Sequence, residues 1–304
     1  MEASVVIPAY NAAATVAEAV ASAAAQDPPP AAILVVDDGS ADGTAEAAER
    51  CGAPVRVLRQ ANAGACAARN RGLAEVRTEL VQFLDADDLL LPGKFAMQTA
   101  ELRRTSADAV FCDYDVVDAA GRPVASRRYG GGDWRREVIR EELSTPAGLH
   151  RAAAVRRVGG FRESLDCCQE RDLHLRMFAA GLRLRPHGGV GVLVRRLGPS
   201  ISSDYTKVLM RLGEILPRTF AAAEAGGVLD AECRAAFAAA TRRTGHHLLK
   251  RGLWREAASR FAAASRMSRR AEPGESWKRR AVAGLLGGTW GRLAGPAGSA
   301  EASP

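Results

Sequence analysis

Val81-Gln82-Phe83-Leu84-Asp85-Ala86-Asp87-Asp88 takes a short apolar run directly into three carboxylates within four positions. The run has the length and composition of a buried strand, and the acidic string marks its end. No lysine or arginine separates the three acids. Two unit charges ~4 Å apart at an effective dielectric of ~20 repel by about 4 kcal/mol, so a bound cation would relieve the junction. Oxygen ligands at a rigid strand end suit a hard divalent ion, Mg²⁺ or Mn²⁺, which takes one or two protein carboxylates and fills its shell with substrate phosphates. A solvated strand-to-loop turn fits the segment equally well, because short Asp-x-Asp strings are common.

Upstream, the apolar runs Val5–Pro8, Ile33–Val36 and Val55–Leu58 are short, rich in β-branched residues and separated by helix-like segments. That alternation predicts an α/β fold, a mainly parallel sheet with helices on both faces. Ala12–Ala25 is a strong helix former stopped by Asp27-Pro28-Pro29-Pro30, and a second helix over Thr44–Arg50 follows the turn Asp38–Gly43. In such sheets ligands sit beyond the carboxyl ends of the strands. Pro8-Ala9-Tyr10-Asn11, Asp37-Asp38-Gly39-Ser40 and Asp85-Ala86-Asp87-Asp88 each follow a strand run, so all three are expected at one edge.

From Leu91 to Val194 the pattern is mixed: a helix near Lys94–Arg104, a strand near Ala109–Val117, a turn at Asp118–Gly121 and a helix near Glu170–Ala180. After about Ile201 it turns helical, rich in alanine and arginine. Leu248, Leu249, Trp254, Ala257, Ala258 and Phe261 follow helical spacing around Gly252, as in half of a helical-hairpin repeat. The glycine-rich stretch 287–304 reads as a disordered tail.

With 304 residues, 47% hydrophobic and 25% charged, the chain can build one large core and an appendage. No stretch reaches the ~18 uninterrupted apolar residues of a membrane span, and Met1-Glu2-Ala3-Ser4 lacks the layout of a signal peptide. Six cysteines without metal-ligand spacing read as reduced thiols. These features predict a cytoplasmic protein. The net charge of +7 suits nucleic acid, anionic lipid or phosphorylated substrates alike.

Four stretches in order resemble one family: Ser4-Val5-Val6-Ile7-Pro8-Ala9-Tyr10-Asn11, Val35-Val36-Asp37-Asp38-Gly39-Ser40, Asn62-Ala63-Gly64 with Ala68-Arg69-Asn70-Arg71-Gly72, and Phe83-Leu84-Asp85-Ala86-Asp87-Asp88. They are similar to the nucleotide-sugar half of family 2 glycosyltransferases, inverting enzymes of the GT-A type. The resemblance implies a GT-A domain over 1–203, with a nucleotide-sugar half (1–90) and an acceptor half (91–203), followed by a helical C-terminal region over 204–286. It implies a nucleoside diphosphate sugar donor, UDP- or dTDP-linked, and transfer to a hydroxyl of a glycan, glycolipid or metabolite, with no nucleic acid partner. Asp38 then accepts the ring N–H of the base beside Pro8 and Tyr10, and Arg69 supplies a cation near the nucleotide. Arg69 could instead pair with a carboxylate of the acidic cluster. Asp87 ligates Mg²⁺ or Mn²⁺ and Asp85 contacts ribose or metal-bound water across Ala86, with Asp88 left to cap the next helix.

The family's catalytic base is an acid in a segment of the type Glu-Asp-x-Asp-Leu-x-Leu-Arg that follows Gly-Gly-Phe. Here Gly159-Gly160-Phe161 precedes Gln169-Glu170-Arg171-Asp172-Leu173-His174-Leu175-Arg176, which puts Glu170 at the base position, with Gln169 replacing the acid before it. A helix N-terminal carboxylate favoured by the macrodipole is the plainer reading of Glu170. Asp172 and Arg176 form a helix-surface or orienting pair, and His174 and His187 take ordinary surface or packing roles. Leu197 stands where relatives often carry a histidine, with Arg195 or Arg196 able to supply compensating charge. Arg151 is a further binding candidate, and Asp113 and Asp115 either face the acceptor groove or alternate into solvent.

Two rival functions remain on sequence grounds. A sugar nucleotidyltransferase would carry a glycine-rich basic loop after its first strand, and Pro8–Ala14 has neither glycine nor cation. A catalytically silent nucleotide-sugar-binding or scaffold protein is suggested by Gln169 and Leu197. The basic C-terminal helices, with Trp254, Trp277 and Trp290, could rest on the inner face of a membrane, form a protein contact, or be a solvated cap.

Overall fold

β1 (Ala3–Ala9) lies near the middle of a nine-stranded sheet, and its consecutive residues Val5, Val6 and Ile7 are all fully buried. Successive side chains of a strand point to opposite faces, so both faces of the sheet are covered at this point. The structure is a computed structural model and describes residues 1–52, 54–129, 133–140, 143–198 and 204–269. The region 270–286 with Trp277, the tail 287–304 with Trp290, and the boundary at 203 lie outside the described residues.

β2 (Ala32–Asp37), β3 (Val55–Arg59) and β4 (Leu80–Phe83) join β1 in parallel, in the order β3-β2-β1-β4. The helices between them are α1 (Val16–Ala24), α2 (Thr44–Glu49) and α3 (Ala65–Glu75); α2 ends within a residue of its expected span, and α1 begins four residues later than expected. A Cβ on Gly72 of α3 would sit 2.3 Å from a Val6 methyl, so glycine lets this helix press against the sheet. Each of β2, β3 and β4 is fed by a helix crossover, which sends the ends of β1, β2 and β4 to one edge.

Beyond β4 the sheet becomes mixed. β5 (Leu89–Leu90) and α4 (Lys94–Thr105) precede β6 (Ala109–Asp118), β7 (Pro123–Arg127), α5 (Trp134–Arg140), a 3-10 turn at Thr145–Ala147, β8 (Gly148–Arg151) and α6 (Ala152–Arg157). α7 (Gln169–Ala179) and β9 (Leu184–Arg196) complete this half. β8 runs antiparallel between β4 and β6, while β9 pairs parallel to β6 and antiparallel to β5.

A buried polar knot holds the 3-10 turn. The Lys94 ammonium donates to the side-chain carbonyls of Gln82 and Gln98. Gln82 Nε2 donates to the Pro146 carbonyl at 3.0 Å, and Gln98 Nε2 to those of Val110 and Ala147, both at 2.8 Å. Burial pushes the Lys94 amine down to about 8. Beside the knot, His150 and His174 stack with Nε2 atoms 3.1 Å apart, so the two histidines serve in core packing.

The C-terminal region is helical as expected, with α8 (Tyr205–Ala225), α9 (Ala231–Leu249) and α10 (Trp254–Arg269). Asp204 and Asp230 cap the first two by accepting the Lys207 and Cys233 N–H groups. α8 and α9 contribute Ile215, Leu216, Phe220 and Phe237 to the apolar core of the sheet, with the Phe178 and Phe237 rings 5.9 Å apart. No helix among the described residues is long and apolar enough to cross a membrane. The six cysteines are free thiols.

Candidate active site

The ends of β1, β2 and β4 open on a cavity of about 690 Å³. Its wall includes Pro8, Tyr10, Asp38, Arg69, Asp85, Ala86, Asp87 and Glu170, which sequence reasoning had singled out from separate stretches. Asn11, Cys168, Gln169 and Leu197 also line it.

The loops after β1 and β2 are knitted together. Asn11, at φ 49°, donates its N–H to Ser40 Oγ at 2.9 Å and accepts from the Ala41 N–H at 3.0 Å. The N–H groups of Ala12 and Ala13 go to Thr44 Oγ1 and Asp42 Oδ2. Gly39 is required where these loops meet the next one: at φ 79°, a Cβ there would lie 2.9 Å from the Asn62 nitrogen.

Asp38 has a structural role that its motif did not announce. It is buried, and Oδ1 accepts from Gln60 Nε2 at 2.8 Å and the Ala63 N–H at 2.9 Å, while Oδ2 accepts from the Gly64 N–H at 2.8 Å. It thereby anchors the start of α3. A carboxylate has about four acceptor sites, so Oδ2 keeps capacity toward the cavity.

Arg69, only 5% exposed, takes the pairing alternative. Its Nη2 meets Asp85 Oδ1 at 2.6 Å and its Nη1 donates to Gln169 Oε1 at 2.7 Å. One guanidinium therefore ties the acidic strand end to the start of α7. The acid string is thus not left to repel itself as its sequence suggested. Asp88 points away from the cavity; it is buried, accepts the Arg195 N–H at 2.9 Å and caps no helix. Burial, with Asp85 and Asp87 nearby, pushes the Asp88 carboxyl well up.

Asp87 is the exposed member of the string, its carboxyl raised first by burial and then by Asp85. A carboxylate raised by its neighbour's charge favours a cation between the two. Among the described residues no group of three or more His, Cys, Asp or Glu side chains forms a metal cage. A donor set of two carboxylates fits a divalent ion that takes its remaining ligands from a diphosphate and water.

Glu170 sits half-buried in the first turn of α7, where its Oε1 accepts from Thr145 Oγ1 at 3.1 Å. Thr145 is buried and no motif marked it. The residue before α7, Cys168, takes φ 57°, a left-handed geometry uncommon outside glycine and asparagine. Leu197, 45% exposed, brings an apolar side chain to the cavity rim.

Three expected positions lie elsewhere. Arg151 pairs with β4 at Leu80, the strand end remote from the acids, where it bonds Glu79 and the Ala107 carbonyl. Asp113 faces neither groove nor solvent: it is buried and accepts the Tyr129 N–H at 2.7 Å. Arg195 lies behind the acidic loop, bonded to Glu18 and to the Asp87 carbonyl. Asp172 is paired with Arg176 at 2.7 Å as expected, but it is buried rather than on the helix surface, with Arg162 at 2.9 Å.

Comparisons with known proteins agree with this geometry. The sequence model for Glycosyl transferase family 2 matches residues 4–164. The succinoglycan biosynthesis protein ExoU of Rhizobium meliloti is 31% identical over 232 residues, 69% of this chain and 67% of ExoU. The uncharacterized glycosyltransferase EpsJ of Bacillus subtilis is 32% identical over 114 residues, 36% of this chain and only 33% of EpsJ. Among solved structures, S. aureus TarS 1–349 in complex with UDP-GlcNAc superposes with a TM-score of 0.71 at 21% identity, covering 88% of this chain and 83% of that one. The Pyrobaculum calidifontis mannosyltransferase PcManGT, in complex with GDP-Man and Mn²⁺, gives 0.56 at 19% identity, over 95% and 81%. The sheet, with its helical C-terminal region, is the GT-A fold. Motifs, sheet edge and matched span agree: the chain belongs to glycosyl transferase family 2.

Proposed function

We propose that this chain is an inverting glycosyltransferase that moves a sugar from a nucleoside diphosphate donor, UDP- or dTDP-linked, to a hydroxyl of a glycan, glycolipid or metabolite. The observation that carries the reading is the single cavity holding Asp85 and Asp87 on one wall and Glu170 on another. A named relative, the WfgD glucosyltransferase of Escherichia coli, 28% identical over 117 residues, uses UDP-Glc and a diphosphoundecaprenol-linked acceptor.

The base of the donor lies beside Pro8 and Tyr10, with its ring N–H on Asp38 Oδ2. Asp87 and Asp85 would hold a divalent ion, which supplies Lewis-acid charge to the leaving diphosphate. Arg69 holds the Asp85 side chain in place through its ion pair. Glu170 accepts the proton of the acceptor hydroxyl as that oxygen bonds to the anomeric carbon. The acceptor oxygen attacks from the face opposite the diphosphate, and the bond from the anomeric carbon to the phosphate oxygen breaks with its electron pair on the diphosphate, so configuration inverts. Thr145 holds Glu170 Oε1 and leaves Oε2 for the proton.

Gln169 and Leu197 favour a second reading, a protein that binds the donor without turnover. A thermal-shift screen of nucleotide sugars with and without Mn²⁺, followed by release of free nucleoside diphosphate, separates the two. Transferase activity predicts Mn²⁺-dependent stabilisation and diphosphate release, both lost in Asp87→Ala, with release alone lost in Glu170→Gln. Full transfer by Glu170→Gln would remove Glu170 as the base; binding with no turnover by the parent chain would establish the silent protein.

A further inference from the structure

The turn between α9 and α10 and the start of α8 bring cations and aromatic rings together on the surface. Arg251 lies over Tyr205, its guanidinium carbon 4.8 Å from the ring centroid, and His247 meets the same ring edge-on at 5.5 Å. Leu253 turns inward against the small cluster of Leu209, Leu248 and Ala257. Trp254, the next residue, is 69% exposed, and Tyr205 is 42% exposed. Lys250, Arg251 and Arg255 are exposed as well.

These three cations form no ion pair among the described residues. Other cations of the same helices do: Lys207 and Arg211 hold Asp166, Arg218 holds Asp172 and Arg234 holds Glu224. The His247 imidazole is pushed down by burial and then by Lys250 and Arg251, as expected where positive charge is uncompensated. One contact links the cavity wall to the turn of α8 that carries Tyr205. Cys168 of the cavity wall donates its thiol to the Val208 carbonyl at 3.8 Å, in the same turn of α8 as Tyr205.

We infer that the Tyr205, Lys250, Arg251, Trp254 and Arg255 patch seats the protein on an anionic lipid surface, with the cavity mouth beside it. Tryptophan and tyrosine place amphipathic rings at the headgroup level. Lysine and arginine reach phosphate while their stems stay against apolar surface. The lipid contact stands by itself; that the acceptor is offered from that surface rests on the transferase reading.

The test is cosedimentation of the full chain with vesicles of phosphatidylcholine alone, or of equal parts phosphatidylcholine and phosphatidylglycerol. Binding is expected only to the anionic vesicles. The triple variant Lys250→Glu, Arg251→Glu, Arg255→Glu should weaken it at least about a hundredfold, from about 1 kcal/mol per cation lost. Trp254→Ser should weaken it less, with a loss that persists at high salt. A control triple of the same charge change, Arg103→Glu, Arg183→Glu, Arg185→Glu, should bind nearly as the parent.

Absence of binding by the parent chain, or equal loss in both triples, would overturn the inference. So would binding to an oligonucleotide as tight as to vesicles and lost in the same patch triple. Donor binding measured in parallel keeps the two readings apart. A chain that binds vesicles but no nucleotide sugar supports the lipid contact and sinks the transferase; the opposite pattern sinks the lipid contact.

Discussion

Thr145 Oγ1 donates to Glu170 Oε1 across 3.1 Å, from a 3-10 turn to the first turn of a helix 25 positions later in the chain. The hydroxyl holds one of the two carboxylate oxygens. Thr145→Val keeps the side-chain volume and removes the donor. The transfer rate should fall about tenfold, the scale of one misplaced hydrogen bond near 1.4 kcal/mol, while donor affinity stays the same. Thr145→Ser should restore most of the rate. Single-turnover transfer and donor binding measured together check this; a valine variant with parental rate would free Glu170 from this contact.

Arg69 holds Asp85 and Gln169 at once. Arg69→Met leaves both partners without their donor, though Asp85, with its side chain 31% exposed, recovers some hydration. A loss of roughly 2–3 kcal/mol in urea unfolding is expected, together with weaker donor binding. Arg69→Lys should recover part of the charge pairing but not the two-armed link. Equal stability of Met and parent chains would show that the link carries nothing.

Gln98 closes the polar knot under the 3-10 turn. Gln98→Leu would remove a donor from the Val110 and Ala147 carbonyls, the latter keeping the Cys112 thiol, and take a partner from the Lys94 ammonium. Unfolding stability should fall by about 2–4 kcal/mol. Because the same knot supports Thr145, transfer should slow as well; urea melts and rate measurements on one preparation test both parts.

His150 and His174 share one hydrogen bond between their Nε2 atoms, so one ring donates, the other accepts, and neither can take a second proton there. Burial is the main cause that lowers both, His150 to about 3. A histidine whose folded value lies below its unfolded value near 6.5 binds more protons when unfolded. Its stabilising contribution is present above about pH 6.5 and is lost as pH falls toward 3. Each ring should cost up to about 1.4 kcal/mol per pH unit in that window. The variant His150→Asn, His174→Asn should show a flatter dependence of stability between pH 6.5 and 4 than the parent; an unchanged slope would place the acid sensitivity elsewhere.

Much of the fold was legible from local pattern. Val5–Pro8, Ile33–Val36, Val55–Leu58 and Val81–Leu84 each fell on a strand within one or two residues of its observed ends. Strands buried on both faces have little choice but continuous apolar sequence, and crossover helices fix their direction. The same logic placed Pro8, Asp38 and Asp87 at one edge. Mixed pairing in the second half was less readable, because β8 and β9 depend on partners distant in sequence.

What the sequence by itself determined is the parallel half-sheet, the edge that opens on the cavity and the residue types offered there, since these follow from periodicity and motif spacing. Only the tertiary structure decided which charges are free. Asp113 reads in the chain as open to groove or solvent and Asp88 as a helix cap, yet each is buried and bonded elsewhere, while Asp87 is exposed at the cavity. Thr145 and Gln169 gain their roles the same way, by meeting Glu170 and Arg69 across the fold. Burial and long-range pairing set the state of an ionisable group, and neither is encoded by its neighbours in sequence.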